Sequence, residues 1–136
     1  MITMDVVAYE KMVASCLRKY PLEACGILLG TLHKVTRVEP ATNIENSARI
    51  YTIDPKAMLF ADRLAEELKA EIIGVYHSHT HSEAFPSPTD VSQVPDPTWY
   101  YVLVSFKRAI PEVRAYEIVD GKITETPLVV ESSKSQ

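Results

Sequence analysis

The chain predicts an α/β fold, a central mixed β-sheet flanked by helices within one domain. Three observations predict it. Apolar, β-branched runs of strand length are interleaved with stretches of helical periodicity in mixed order. At 136 residues the chain is one domain long and can bury a proper core. Hydrophobic residues make up 46% and charged residues 24%, an ordinary globular balance, and there is no internal repeat or linker.

A short strand over 3–8 should lead into a helix over 9–19, which Pro21 ends. Tyr9, Met12, Val13, Cys16, Leu17 and Tyr20 recur at helical spacing and should form its apolar face. Strands follow near 24–32 and 34–41, then a polar stretch over 43–47 and a short strand around 50–52. Asp54-Pro55 is a cap-plus-proline helix start. The helix over 55–69 should turn Ala57, Ala61, Leu64, Ala65 and Leu68 inward. Next comes a buried strand over 71–78, opened by Glu71-Ile72-Ile73-Gly74-Val75-Tyr76. After a loop, a short helix from 88 must stop before Pro95. Strands near 99–106, 113–119 and 122–130 complete the domain, with Asp120-Gly121 as a tight hairpin turn between the last two. The domain is expected to span 1–130, leaving 131–136 as a polar, frayed tail.

Chemistry concentrates where the 71–78 strand ends. His77-Ser78-His79 is followed after seven residues by Ser87-Pro88-Thr89-Asp90, the pattern H-x-H-x7-S-x2-D. The period of two along a strand puts His77 and His79 on one face. Burying two imidazoles without a partner costs free energy, and a cation is the natural partner. Two imidazoles on a rigid strand, with an acid returning from the following loop, supply three of the ligands of a catalytic zinc. Ser87 to Asp90 also read as a helix start, with serine at the cap, proline first and an acid closing a capping box. The two readings are compatible, because Asp90 has a second oxygen for a metal and the Ser87 hydroxyl can both accept and donate. His81 and Glu83 lie in the loop and are expected to be exposed, and His33, between two strand-like runs, has an ordinary structural role.

A zinc hydrolase also needs a general base, and Glu23, at the mouth of the second strongly apolar strand, is the best candidate carboxylate. Spacing alone does not bring it to His77. Cys16 and Cys25 are the only cysteines, too few for a disulfide framework. Cys16 fits the first helix's apolar face, and Cys25 is read as a small core residue rather than a nucleophile.

At these residues the chain resembles the JAMM, or MPN-plus, metalloproteases, which include deubiquitinating zinc isopeptidases. Their motif is an upstream Glu followed by H-S/T-H-x7-S-x2-D, and every element is present. Within the family the likeness is to the bacterial branch of the CysO-cysteine peptidase type. Four passages carry it: Pro21-Leu22-Glu23-Ala24-Cys25-Gly26, Tyr76-His77-Ser78-His79-Thr80 with Glu83-Ala84-Phe85-Pro86-Ser87, Tyr101-Val102-Leu103-Val104-Ser105, and Tyr116-Glu117-Ile118-Val119-Asp120-Gly121. The resemblance implies the MPN fold, of cytidine-deaminase-like architecture, and one zinc per chain held by His77, His79 and Asp90. It makes Glu23 the general acid/base and Ser87 the donor that stabilises the oxyanion. It further implies hydrolysis after the C-terminal Gly-Gly of a small ubiquitin-like sulfur-carrier protein, with release of cysteine. Insertions that grip folded ubiquitin in larger relatives have little room in a chain of this length.

Other classes are disfavoured. A net charge of −4 and a pI near 5.5 argue against nonspecific nucleic-acid binding. No apolar stretch approaches a membrane span, and Met1-Ile2-Thr3-Met4-Asp5 lacks a basic signal-peptide start, so a cytoplasmic location is expected. A nucleobase deaminase would carry H-x-E with P-C-x-x-C, and the chain has no C-x-x-C. A catalytically inactive MPN scaffold is the alternative to an enzyme, and such scaffolds lose the metal ligands kept here. The sequence does not choose between a monomer and a homodimer.

Overall fold

The computed structural model describes residues 1–48 and 50–132. Strand β1 (Ile2–Asp5) passes directly into helix α1 (Val6–Lys19). The Asp5 carboxylate accepts from the backbone N–H of Val7 (3.1 Å) and Ala8 (3.4 Å), so this cap starts the helix ahead of the expected residue 9. Strands β2 (Cys25–Thr31) and β3 (Lys34–Ala41) form an antiparallel hairpin. Helix α2 (Pro55–Leu68) starts at the expected Asp54 cap and ends at Lys69, whose φ of 55° is left-handed. Strand β4 (Glu71–His79), helix α3 (Pro88–Ser92) and strands β5 (Tyr100–Ser105), β6 (Glu112–Val119), β7 (Lys122–Thr126) and β8 (Leu128–Glu131) follow.

The eight strands form one sheet in the order β7-β6-β5-β4-β2-β3-β1-β8. β4–β5, β1–β3 and β1–β8 are parallel and the remaining pairs antiparallel, which is the expected mixed sheet. β7 and β8 stand at opposite ends of that order, yet Pro127 alone separates them in sequence. The sheet must therefore curl until its edges meet at one corner, where Pro127 accepts a hydrogen bond from the N–H of Ile2 (2.9 Å). Helix α1 fills the hollow, with Met12 and Cys16 packed among Leu28, Tyr76, Val102 and Ala115. On the other face α2 packs Ala61 and Ala65 onto Ile27 and Leu29, beside a further cluster of Val75, Tyr101, Leu103 and Tyr116.

Several expectations need correction. The single strand expected over 122–130 breaks at Pro127, which has no N–H for a ladder; β7 pairs with β6, and β8 with β1. No strand forms at 50–52; only an isolated bridge joins Asn43 to Ile53. The buried stripe of α1 is Ala8, Met12, Ser15 and Cys16, while Leu17 and Tyr20 face solvent. Leu68 is likewise half exposed. Glu131, assigned above to the tail, lies in β8 and pairs with Lys34 at 3.5 Å; residues 133–136 of that tail lie outside the described residues. Among the described residues no helix is long and apolar enough to cross a membrane.

Candidate metal centre and active site

Strand alternation sorts the end of β4 into two functions. Tyr76 turns toward α1, where its hydroxyl meets Ser15 Oγ at 2.9 Å, and Ser78 shares that face. Val75, His77 and His79 turn the other way, and both imidazoles are buried. The antiparallel register pairs Cys25 with His77, and Ala24 exchanges hydrogen bonds with Ser78 through Ser78 N–H (3.0 Å) and Ser78 Oγ (2.8 Å). One step further along the same ladder, Glu23 stands level with His79.

Three donor atoms converge beyond the strand. His77 Nε2 lies 3.2 Å from His79 Nε2, and each is 3.1 Å from Asp90 Oδ2. Bonds of about 2.0–2.1 Å around a tetrahedral zinc put neighbouring ligand atoms about 3.3 Å apart. The near-equilateral triangle matches that edge length, so the residues present fit the metal that their chemistry implies. The second nitrogen of His79 supports the same reading. Nδ1 is 2.7 Å from the carbonyl of Glu83, and a carbonyl only accepts, so Nδ1 carries the proton and Nε2 offers its lone pair to the triangle.

Asp90 arrives through the capping box of α3. Ser87 Oγ accepts from Asp90 N–H at 3.1 Å, and Asp90 Oδ2 accepts from Ser87 N–H at 2.9 Å. The cap and the metal triangle thus use the same carboxylate oxygen, where the sequence reading assigned the metal the other one. Burial opposes charge on Asp90, but the His77 and His79 imidazoles beside it outweigh burial and hold the carboxyl far below its usual range. Burial lowers the pKa of His77. Burial also works against the His79 cation, but Asp90 and the Glu83 carbonyl outweigh it and raise its pKa.

Glu23, His79 and Ser87 line one cavity of about 540 Å³, with Ala48, Thr80 and His81 on its walls. Glu23 is 4% exposed, and its Oε1 has no hydrogen-bond partner. Burial raises its pKa to about 7, with His79 pulling it down and Asp90 pushing it up. The Ser87 hydroxyl accepts from the helix cap and keeps its proton to donate.

The structure also separates what the sequence grouped. His81 is exposed and outside the triangle, as expected, yet it reaches the cavity wall and bonds Thr80 Oγ1 at 2.8 Å. The Glu83 side chain is exposed and paired with Arg108 and Lys107, while its carbonyl serves His79. His33 bonds the Tyr100 hydroxyl at 2.6 Å. Cys16 and Cys25 are free and buried, and burial pushes both thiols up to about 12, which suits core residues and not nucleophiles.

Two contributors escaped the sequence reading. The ring of Tyr51 stacks on His77 at 4.1 Å between centroids and 20° between planes. Asn43 ties the loop that carries it: Nδ2 donates to the carbonyls of Glu23 and Ile50 (both 3.1 Å), and Oδ1 accepts from Glu45 N–H (3.1 Å) and Thr52 N–H (3.0 Å). An asparagine opening a polar stretch was the available signal for Asn43; for Tyr51 there was none, because stacking across 26 positions leaves no local pattern.

The model of the prokaryotic homologs of the JAB domain matches residues 5–119. The chain belongs to this family. Among curated relatives, this JAB-family chain is 42% identical over 122 residues to the CysO-cysteine peptidase of Mycobacterium tuberculosis, covering 88% of this chain and 84% of that protein. It is 34% identical over 122 residues to the probable TtuB-protein conjugate cleaving protease of Thermus thermophilus, covering 89% and 77%. Of solved structures, protein DSY2949 from Desulfitobacterium hafniense superposes with a TM-score of 0.90 at 28% identity, covering 98% and 94%. The JAB1/MPN domain protein AF2198 from Archaeoglobus fulgidus superposes at 0.64 with 15% identity, covering 95% and 98%, which shows the shared fold. The JAMM/MPN-plus resemblance and the MPN fold class therefore hold, and the chain is an enzyme of the JAMM hydrolase type.

Proposed function

We propose that this enzyme is a zinc-dependent peptidase of the isopeptidase type, acting after the C-terminal Gly-Gly of a small ubiquitin-like sulfur-carrier protein and releasing cysteine or another amino acid. The observation that carries the reading is the near-equilateral triangle of His77 Nε2, His79 Nε2 and Asp90 Oδ2 beside the buried, unpartnered Oε1 of Glu23. One zinc per chain, held by these three residues, would supply Lewis acidity and a lowered pKa for water. Glu23, with its pKa near 7, takes the proton of the attacking water and returns it to the leaving amine. Ser87 donates its hydroxyl proton to the oxyanion that develops on the scissile carbonyl. Tyr51 covers one face of His77, holding the ring and keeping water from it.

The relatives' names, a CysO-cysteine peptidase and a TtuB-protein conjugate cleaving protease, support a protein-conjugate substrate. A Gly-Gly tail suits a site placed at a strand end, because glycine lets the substrate backbone approach closely. With cysteine as the leaving residue, the reaction is the release step of a carrier-borne cysteine biosynthesis in the cytoplasm. Time-resolved mass spectrometry of a ubiquitin-like carrier ending in Gly-Gly-Cys tests this. The expected result is loss of the terminal cysteine, arrest by a chelator, and sharply slower cleavage of an Ala-Ala-Cys tail. Equal rates for the two tails would remove the close-approach argument, and an uncleaved Gly-Gly carrier would remove the substrate class.

A further inference from the structure

Three successive carbonyls in the loop after β4 are each held by a buried side chain from a different strand. Ser82 O accepts from Ser105 Oγ (2.6 Å, β5), Glu83 O from His79 Nδ1 (2.7 Å, β4), and Ala84 O from the Tyr116 hydroxyl (β6). Ser105 and Tyr116 are each 1% exposed, so neither bond competes with solvent. Ser105 Oγ also accepts from Lys107 N–H at 3.2 Å, which turns its own hydrogen toward Ser82. Ser105 is the register partner of His79 across the parallel β4–β5 pair, and His79 O accepts from Phe106 N–H at 2.9 Å. The middle carbonyl, which sets the His79 tautomer, is therefore fixed on both sides by groups that touch neither the donor triangle nor the cavity.

We propose that Ser105 and Tyr116 are positioning residues for His79: by pinning the carbonyls on either side of Glu83 they hold its oxygen where it keeps the proton on Nδ1 and aims Nε2 at the ligand triangle. The inference rests on the zinc reading for its consequence, not for its geometry. The Glu83 side chain is also gripped by Arg108 at 2.7 and 2.9 Å and by Lys107 at 3.1 Å. Those ion pairs are exposed and screened, and exposed pairs contribute little. The Glu83 carbonyl also accepts from Phe85 N–H at 2.8 Å, a contact within the loop itself; the two buried hydroxyls tie that loop to the sheet.

The test uses Ser105→Ala and Tyr116→Phe in the full chain. Tyr116→Phe keeps the ring that meets Phe85 edge-on at 5.6 Å and removes only the hydroxyl. Tyr101→Phe is the matched control, because Tyr101 likewise donates from a strand to a loop carbonyl, that of Asp96 at 2.5 Å, away from His79. Zinc affinity, measured by competition with a chromophoric chelator, should weaken by about 10-fold or more in each test variant and stay at the parental value in the control. In the metal-free proteins, nitrogen–proton correlation spectra should show His79 protonated on Nδ1 in the parent and control, and a mixture of tautomers in the test variants. Parental zinc affinity in both test variants, an equal loss in Tyr101→Phe, or an undisturbed Nδ1–H would overturn the proposal. If the parent takes up no zinc, the zinc reading fails by itself, and the tautomer comparison still decides the positioning.

Discussion

Glu23 combines burial with a charge-bearing side chain, and its energetics can be checked apart from its chemistry. In the folded chain its carboxyl keeps its proton up to about pH 7, whereas in the unfolded chain it ionises near the ordinary 4.5. Below that lower value both states are protonated and the group does not affect stability. As pH rises through the window the unfolded chain ionises first, so the folded state loses relative stability until about pH 7, where the loss levels off. Glu23→Gln removes this slope. In metal-free protein the variant should gain on the parent between pH 4.5 and pH 7, read by thermal melting. A constant difference across that window would mean the raised pKa is wrong. With zinc bound, the same variant should keep its metal while kcat falls by about 10² or more, the lower end of what a positioned proton-transfer group contributes. Near-parental kcat would return Glu23 to the role of a structural carboxyl. At this scale the sequence was uneven. His77 and His79 were legible because a strand's period of two is local. Glu23 was legible only as a candidate, because what sets it beside His79 is the register of β2 against β4. Tyr51 reaches His77 through a loop that Asn43 shapes, and no periodicity encodes that.

Among the elements, β4 is the one on which the site depends, and its seating against β5 turns on Gly74. A Cβ at Gly74 would lie 2.2 Å from the carbonyl oxygen of Tyr100, a backbone atom that cannot swing aside. Gly74→Ala should therefore cost at least about 1–3 kcal/mol, the usual range for overpacking, and lower the melting temperature accordingly. A parental melting curve would show that β4 and β5 can part locally without cost. Element types were legible wherever the cause was local: the Asp54-Pro55 start of α2, the β6–β7 turn at Asp120-Gly121, and the apolar run that opens β4. The start of α1 was misplaced because Val6 and Val7 look like strand residues, yet the Asp5 cap binds the first helical N–H groups. The break at Pro127 was missed because β8 follows β7 without a turn sequence and takes as its partner β1, at the opposite end of the chain.

On the scale of the whole molecule, the curled sheet divides the work between its faces. Its hollow holds α1 and the larger apolar core, which includes Tyr76 from β4. The opposite face presents His77 and His79 and receives Asp90 from α3 and Glu23 from the segment just before β2. A mixed α/β sheet was readable from the order of the runs, whereas its closure at Pro127 was not, because closure depends on contacts between the two ends of the chain. The proposed chemistry depends on three residues from β4 and α3, which together could hold one zinc. Elemental analysis of purified protein tests it most directly, with hydrolysis measured on the same samples. The parent and His81→Ala should each carry about one zinc per chain, since His81 lies outside the donor triangle, while Asp90→Asn should lose most of its zinc and all hydrolysis, because a neutral amide is a far poorer ligand than a carboxylate. Full zinc and full activity in Asp90→Asn, or loss of the metal in His81→Ala, would contradict the assignment.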